Sequence, residues 1–286
     1  MIRSSKILLV AATIAAAALA PARTALAEEA PAPEQPRYFA PLLTLYKGKI
    51  VIAGETLQMN LSADNVAAPV SLAPSLWYGA TDTLTVGLTH DFGTTAWTPR
   101  PVLRGFTRTV MGMSTAYAAG TGICLTGTDN GCPRFYDNVG VDVLHSLRVG
   151  RLAVASHPGL DVGSFDPFFL DLRIGVLGIF MVTGKLAIAF DPRLQLGLTS
   201  RDEGNTEAID LPVWAWYEIN NKISAYLHSG LQGTFKGFGD NYAIPLQLGG
   251  SYKIKYKLTA GLDFAFTRVN DSLDGRALGL RVMYEL

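Results

Sequence analysis

The sequence predicts an all-β fold: a closed antiparallel β-barrel of about twelve strands that crosses a membrane. Three observations predict it. The 286-residue chain is 49% hydrophobic and only 17% charged, yet after residue 27 no run reaches the roughly 20 consecutive apolar residues that a spanning helix needs. From residue 56 onward apolar residues recur at every second position, the period of a strand. The segments that carry this alternation are separated by connections that run long, short, long, short.

The first element lies outside that pattern. Arg3 and Lys6 precede an apolar run, residues 7–20, interrupted only by Thr13, and Ala25-Leu26-Ala27 supplies a small-x-small site before Glu28. Such a run is too short to span, so residues 1–27 read as an export signal cleaved after Ala27. Residues 28–55 form a second segment, rich in proline at Pro31, Pro33, Pro36 and Pro41, which reads as an extended stretch on the periplasmic side. Within it, residues 46–54 read as an extra strand or as chain folded into the lumen. The barrel is assigned to residues 56–286.

The alternating segments follow in order. They begin with Leu57, Met59 and Leu61, then Leu84, Val86 and Leu88, then Val139, Val141 and Val143, and then Leu170, Leu172, Ile174 and Val176. Later stretches run through residues 186–198, 209–219, 242–248, 256–266 and 278–286, and weaker runs at 72–79, 151–157 and 222–234 complete twelve strands. An even number places both chain ends on one rim of an antiparallel barrel. Long connections are read at 63–71, 92–136, 158–167, 199–207, 235–241 and 268–276, and tight ones between them. This asymmetry matches short periplasmic turns on one rim and longer extracellular loops on the other. In hydrocarbon such a sheet must close, because unpaired strand edges have no water to bond.

Between the apolar positions stand Gly, Thr, Ser, Gln and charges, which assigns them to the lumen. The candidate lumen-lining residues are Asp171, Arg173, Asp191, Arg193, Asp210, Trp214, Trp216, Glu218, Asp263 and Arg281. By phase alone Arg151, Lys185, Lys222, Lys255, Lys257, Asp142 and Glu285 share that inward face, so the two signs nearly balance and predict weak ion selectivity. Tyr78, Tyr217, Tyr252, Tyr256 and Tyr284 fall near tight turns on the apolar face, where ring and hydroxyl can straddle a membrane boundary. Cys124 and Cys132 are the only two cysteines. With Gly127, Asn130 and Gly131 between them and an oxidising compartment outside, they predict a disulfide.

Charge argues against a nucleic-acid partner. Three of the 24 basic residues (Arg3, Lys6, Arg23) and none of the 24 acidic ones precede residue 28, which leaves −3 on the remainder. No His, Cys or carboxylate spacing suits a metal and no Gly-rich phosphate loop is present, so no cofactor is expected. His90 and His157 read as residues of the outer rim, and Ser156 cannot serve His157 as a dyad because adjacent strand residues point to opposite faces.

With its export signal, its alternation and a final alternating segment at residues 277–286, the chain resembles the outer-membrane β-barrel proteins of Gram-negative bacteria, in particular porin-like channels of about twelve strands. The resemblance implies an outer-membrane location and contact with outer-membrane lipid. It also implies recognition of the C-terminal strand by the barrel-assembly machinery, although Leu286 stands where the family usually ends in Phe or Trp. For function it implies a passive channel for small solutes, not an enzyme, with loop 92–136 as gate or constriction. The alternatives are a structural or surface-interaction barrel with an occluded lumen, and an outer-membrane hydrolase.

Overall fold

Successive strand residues face opposite sides of a sheet, and in this chain the two sides become the inside and the outside of a ring. The computed structural model describes residues 43–286 apart from 62–65, 91–95, 100–109, 114–121, 131–133, 138, 149–150, 256, 267 and 271–274. Among the described residues twelve strands form the wall. They are β1 (Ile50–Asn60), β2 (Val70–Thr81), β3 (Leu84–Thr89), β4 (Val139–Arg148), β5 (Leu152–Ser156 and Gly159–Phe165) and β6 (Phe168–Met181). The ring continues through β7 (Leu186–Phe190 and Arg193–Gly197), β8 (Ala208–Asp210 and Val213–Glu218), β9 (Ile223–Ser229 and Gln232–Thr234), β10 (Leu246–Lys255), β11 (Leu258–Phe266) and β12 (Arg276–Glu285). Each pairs antiparallel with the next, and β1 pairs with both β2 and β12, which closes the barrel.

Tight turns gather on one rim. Thr81 and Leu84 flank one of them, the Asn220 side chain accepts from the Lys222 and Ile223 amides in another, and the Val182 and Thr183 amides donate to the Leu186 carbonyl in a third. The opposite rim carries the long loops, with one exception to the sequence reading. Residues 158–167 are not a loop: Gly159–Phe165 is strand, paired with β4 on one side and β6 on the other, and only Asp166 and Pro167 turn the chain. Pro158 mimics a strand end because it lacks an N–H, but its carbonyl still accepts from Val143 and the ladder continues beyond it. Pro192 and Pro212 interrupt β7 and β8 in the same way, and their carbonyls accept from the Val176 and Asp191 amides.

The first strand also begins earlier than alternation suggests. A register shift lies between Glu55 and Leu57 in both of β1's ladders, so outward positions are even-numbered before it and odd-numbered after it. Periodicity followed back from Leu57 therefore runs out of phase at the bulge.

The outward face is apolar, with Leu76, Leu88, Val141, Leu160, Ile174, Leu227, Leu248, Leu262 and Leu280 all exposed. Tyr78, Tyr217, Tyr252 and Tyr284 stand outward near the tight-turn rim, whereas Tyr256 is outside the described residues. A continuous apolar band of this kind fits hydrocarbon and not water. In the long connection before β4, residues 96–99 and 110–113 pair as a separate hairpin, and the Cα atoms of Ala96–Pro99 come within 8 Å of those of Leu186–Phe190 in β7.

Candidate solute pathway through the barrel

The lumen has two halves built from the same inward phase. In the half nearer the tight turns, large apolar side chains meet across the ring. Val51, Ala53, Trp77, Leu144, Leu177, Ile179, Met181, Ala187, Trp214, Trp216 and Tyr226 form one packed cluster, in which Trp77, Leu177, Met181 and Trp214 are 0% exposed. Trp214 stacks on His228 with ring centroids 5.0 Å apart, and Trp216 stacks on Tyr226 at 5.4 Å. Several of these bulky groups lie flat against a glycine directly opposite in register. A Cβ added at Gly87 would meet the Trp77 indole at 2.3 Å, and one added at Gly249 would meet the Tyr226 ring at 2.3 Å.

Residues 43–49 complete this half. Leu43 and Leu45 are buried in the same cluster. The Leu45 amide donates to Thr85 Oγ1 at 2.7 Å, Thr44 Oγ1 to the Asp82 carbonyl at 2.9 Å and the Lys47 amide to Asp82 Oδ1 at 3.1 Å. Gly79 lets the segment pass, since a Cβ there would sit 2.0 Å from the Tyr46 carbonyl oxygen.

Nearer the long loops the inward residues are charged. Arg173 Nη2 lies 3.2 Å from Asp142 Oδ1 and 3.4 Å from Asp161 Oδ1, and Thr89 Oγ1 donates to Asp142 Oδ2 at 3.1 Å. Arg193 Nη2 donates to Asp191 Oδ2 at 2.7 Å, and His157 Nδ1 lies 2.9 Å from that same oxygen. On the other wall Asp263 Oδ2 is 3.0 Å from Arg281 Nε, Gln247 Nε2 donates to Asp263 Oδ1 at 2.8 Å, and Arg281 Nη2 donates to the Tyr226 hydroxyl at 2.6 Å. Buried charges of this kind persist only when paired and hydrogen-bonded.

Against the first wall lies a cavity of about 480 Å³, lined by Arg173, Arg193, Gln195, Asp210, Gln232 and Thr234 among others. Two cross-strand rows build it. Arg173 faces Gln195, which faces Ala208 and then Thr234, and Arg193 faces Asp210, which faces Gln232. The small Ala208 leaves the space, and the charged floor is locked in place by its ion pairs.

The sequence candidates distribute over both halves. Asp171, Arg173, Asp191 and Arg193 are buried in the charged half, with Asp210 on the cavity, and Asp263 and Arg281 are buried on the opposite wall. Trp214 and Trp216 belong to the apolar cluster, and Glu218 is half-buried near the tight-turn rim. The inward phase of Arg151, Lys185, Lys222, Lys255 and Lys257 does not bring them into the lumen, because they sit at the rim and are exposed. The charged half is therefore acidic among the described residues. Asp142, Asp161, Asp171, Asp191, Asp210 and Asp263 face the three guanidiniums of Arg173, Arg193 and Arg281, together with the His157 imidazole.

Sequence reasoning missed His157 and Asp161. His157 is not a solvated rim residue but 1% exposed and bound to Asp191; the signal was its phase with Ala153 and Ala155, which Pro158 obscured. His90 is near the outer rim, with Nδ1 donating to the Pro74 carbonyl at 2.6 Å and Nε2 accepting from the Tyr136 hydroxyl at 2.9 Å. Cys124 is buried, in a short strand against Ser71 and Leu72; Cys132, Arg100, Arg104 and Arg108 lie outside the described residues.

No family model matches the sequence, and no curated protein matches it. Solved structures do. The NanC porin aligns at 10% identity with a TM-score of 0.53, covering 83% of this chain and 100% of that one. It shares this fold. The KdgM porin in complex with disordered oligogalacturonate aligns at 10% identity, TM-score 0.49, over 82% of this chain and 98% of that one. Outer membrane phospholipase A from Escherichia coli aligns at 13% identity, TM-score 0.41, over 90% and 94%.

Proposed function

We propose that the protein is an outer-membrane channel that passes small polar solutes passively, entered from the long-loop rim. The observation that carries this reading is the cavity of about 480 Å³ on a locked, charged floor inside a barrel whose outer face is apolar. The porin fold shared with NanC supports it. The excess of carboxylates over guanidiniums in the charged half favours cations over anions. Reconstitution of the purified protein in planar bilayers under a salt gradient tests both points. Conductance steps with a reversal potential on the cation side are expected; absence of any steps overturns the channel, and an anion-side potential overturns the selectivity.

A second reading has its own observation. The packed apolar half of the lumen supports a barrel that is permanently occluded and acts through its surface loops, and the same bilayer measurement separates the two. Export with cleavage after Ala27 belongs to the channel reading, and amino-terminal sequencing of the membrane-isolated protein checks it. A Cys124–Cys132 disulfide, contact with outer-membrane lipid and use of residues 277–286 by the assembly machinery belong to it as well. In the same reading loop 92–136 acts as an additional gate or constriction, supported by the approach of residues 96–99 to β7.

A further inference from the structure

We propose that residues 43–48 are a displaceable gate that shuts the tight-turn half of the lumen, an inference that rests on the channel reading. Leu43 and Leu45 supply two of the side chains that fill the ring, at 2% and 6% exposure, yet they come from outside the twelve-strand wall. Their segment joins no ladder of the barrel. It is held by the three side-chain contacts to Asp82 and Thr85 at one turn and by backbone bonds at Gly79, where the Gly48 amide donates to the Gly79 carbonyl at 2.8 Å. Withdrawing it leaves every strand pairing intact.

The shut state also carries a built-in tension. Trp214 Nε1, both ring nitrogens of His228, Gln247 Oε1 and Asp191 Oδ1 are buried without a hydrogen-bond partner. Trp214, His228 and Gln247 stand side by side across β8, β9 and β10. His228 and Trp214 are 0% exposed, so no water fits against them in this state. A buried polar atom without a partner loses its hydration for nothing, which favours any state in which water reaches it. Apolar packing by Leu43 and Leu45 opposes that drive. The opposition makes the segment a two-state element and not a permanent filling, and the unpartnered row marks the path that water takes when it leaves.

Three forms of the full-length protein, compared in planar bilayers at equal loading, test this: the wild type, Leu43→Ser with Leu45→Ser, and Gly79→Ala. The last leaves the plug side chains untouched but places a Cβ 2.0 Å from the Tyr46 carbonyl oxygen, which evicts the segment by collision. Barrel folding in each form is verified by the shift in electrophoretic mobility on heating. The wild type is expected to open rarely, and both variants to carry a mean current at least about tenfold higher. Equal steady conductance in all three overturns the gate and leaves the channel standing. Silence of all three as folded barrels overturns the channel reading and the gate with it.

Discussion

The two halves of the lumen share one wall, one inward phase and the same strands, yet they are held by opposite physics. Near the tight turns, Trp77, Leu177, Met181 and Trp214 pack without water. Near the long loops, Asp142, Asp161 and Asp191 are held by Arg173, Arg193 and His157. Apolar packing tolerates the loss of one contact by partial collapse, whereas an ion pair stripped of one partner leaves a charge in a place that cannot solvate it. The charged half is thus the more brittle, and it is also the half that keeps an open cavity.

The largest expected effect breaks the charged half. Arg193→Ala leaves the buried Asp191 carboxylate with His157 as its one remaining side-chain partner among those described and should cost about 3–5 kcal/mol in denaturant unfolding, and pairing Arg193→Met with Asp191→Leu should recover most of it. If the double change is as damaging as the single one, pairing is not what holds this half. Leu177→Ala probes the apolar half and should cost about 2–5 kcal/mol, at the low end wherever the cluster relaxes into the gap. Gly249→Ala sharpens the contrast further, because its Cβ would strike the Tyr226 ring; overpacking of that kind costs about 1–3 kcal/mol, read as a lower unfolding midpoint.

The smallest effect lies outside both halves, in loop 198–207. The side-chain hydrogen bond from Arg201 holds the Glu207 carboxyl below its ordinary value of 4.5. The contact therefore steadies the loop above that ordinary value and fades as pH falls through the lowered one. Since the Arg201–Glu207 pair lies at the surface, where such pairs contribute little, Glu207→Gln should raise protease nicking of the loop only slightly at neutral pH and not at all in strong acid. A large change at neutral pH would mean that the loop matters to the barrel as the lumen does.

Much of this was legible in sequence because the signal is local. Alternation at Leu170 to Val176 or Tyr256 to Phe266 needs no knowledge of distant residues, and the inward phase of Asp171, Arg173, Asp191 and Arg193 follows from it. What was not legible depends on height and on partners. Phase places Lys185 and Lys222 inward but does not tell that they stand at the rim, so a balance of charge was expected where the structure has an acidic excess. Pro158 hid Gly159–Phe165, and with it Asp161. Leu43 and Leu45 carry no period at all, since their burial is decided by a lumen that exists only once strands far along the chain have paired.

That last dependence gives β1 a second significance. The strand that joins β12 to close the ring is also the strand from which residues 43–49 reach into it. Until β1 and β12 meet, Leu43 and Leu45 have no enclosed space to enter, and the inner apolar faces of Leu177, Met181 and Trp214 remain open to water. Closing that seam therefore also encloses the apolar bore, so the β1–β12 ladder is backed by more than its own hydrogen bonds.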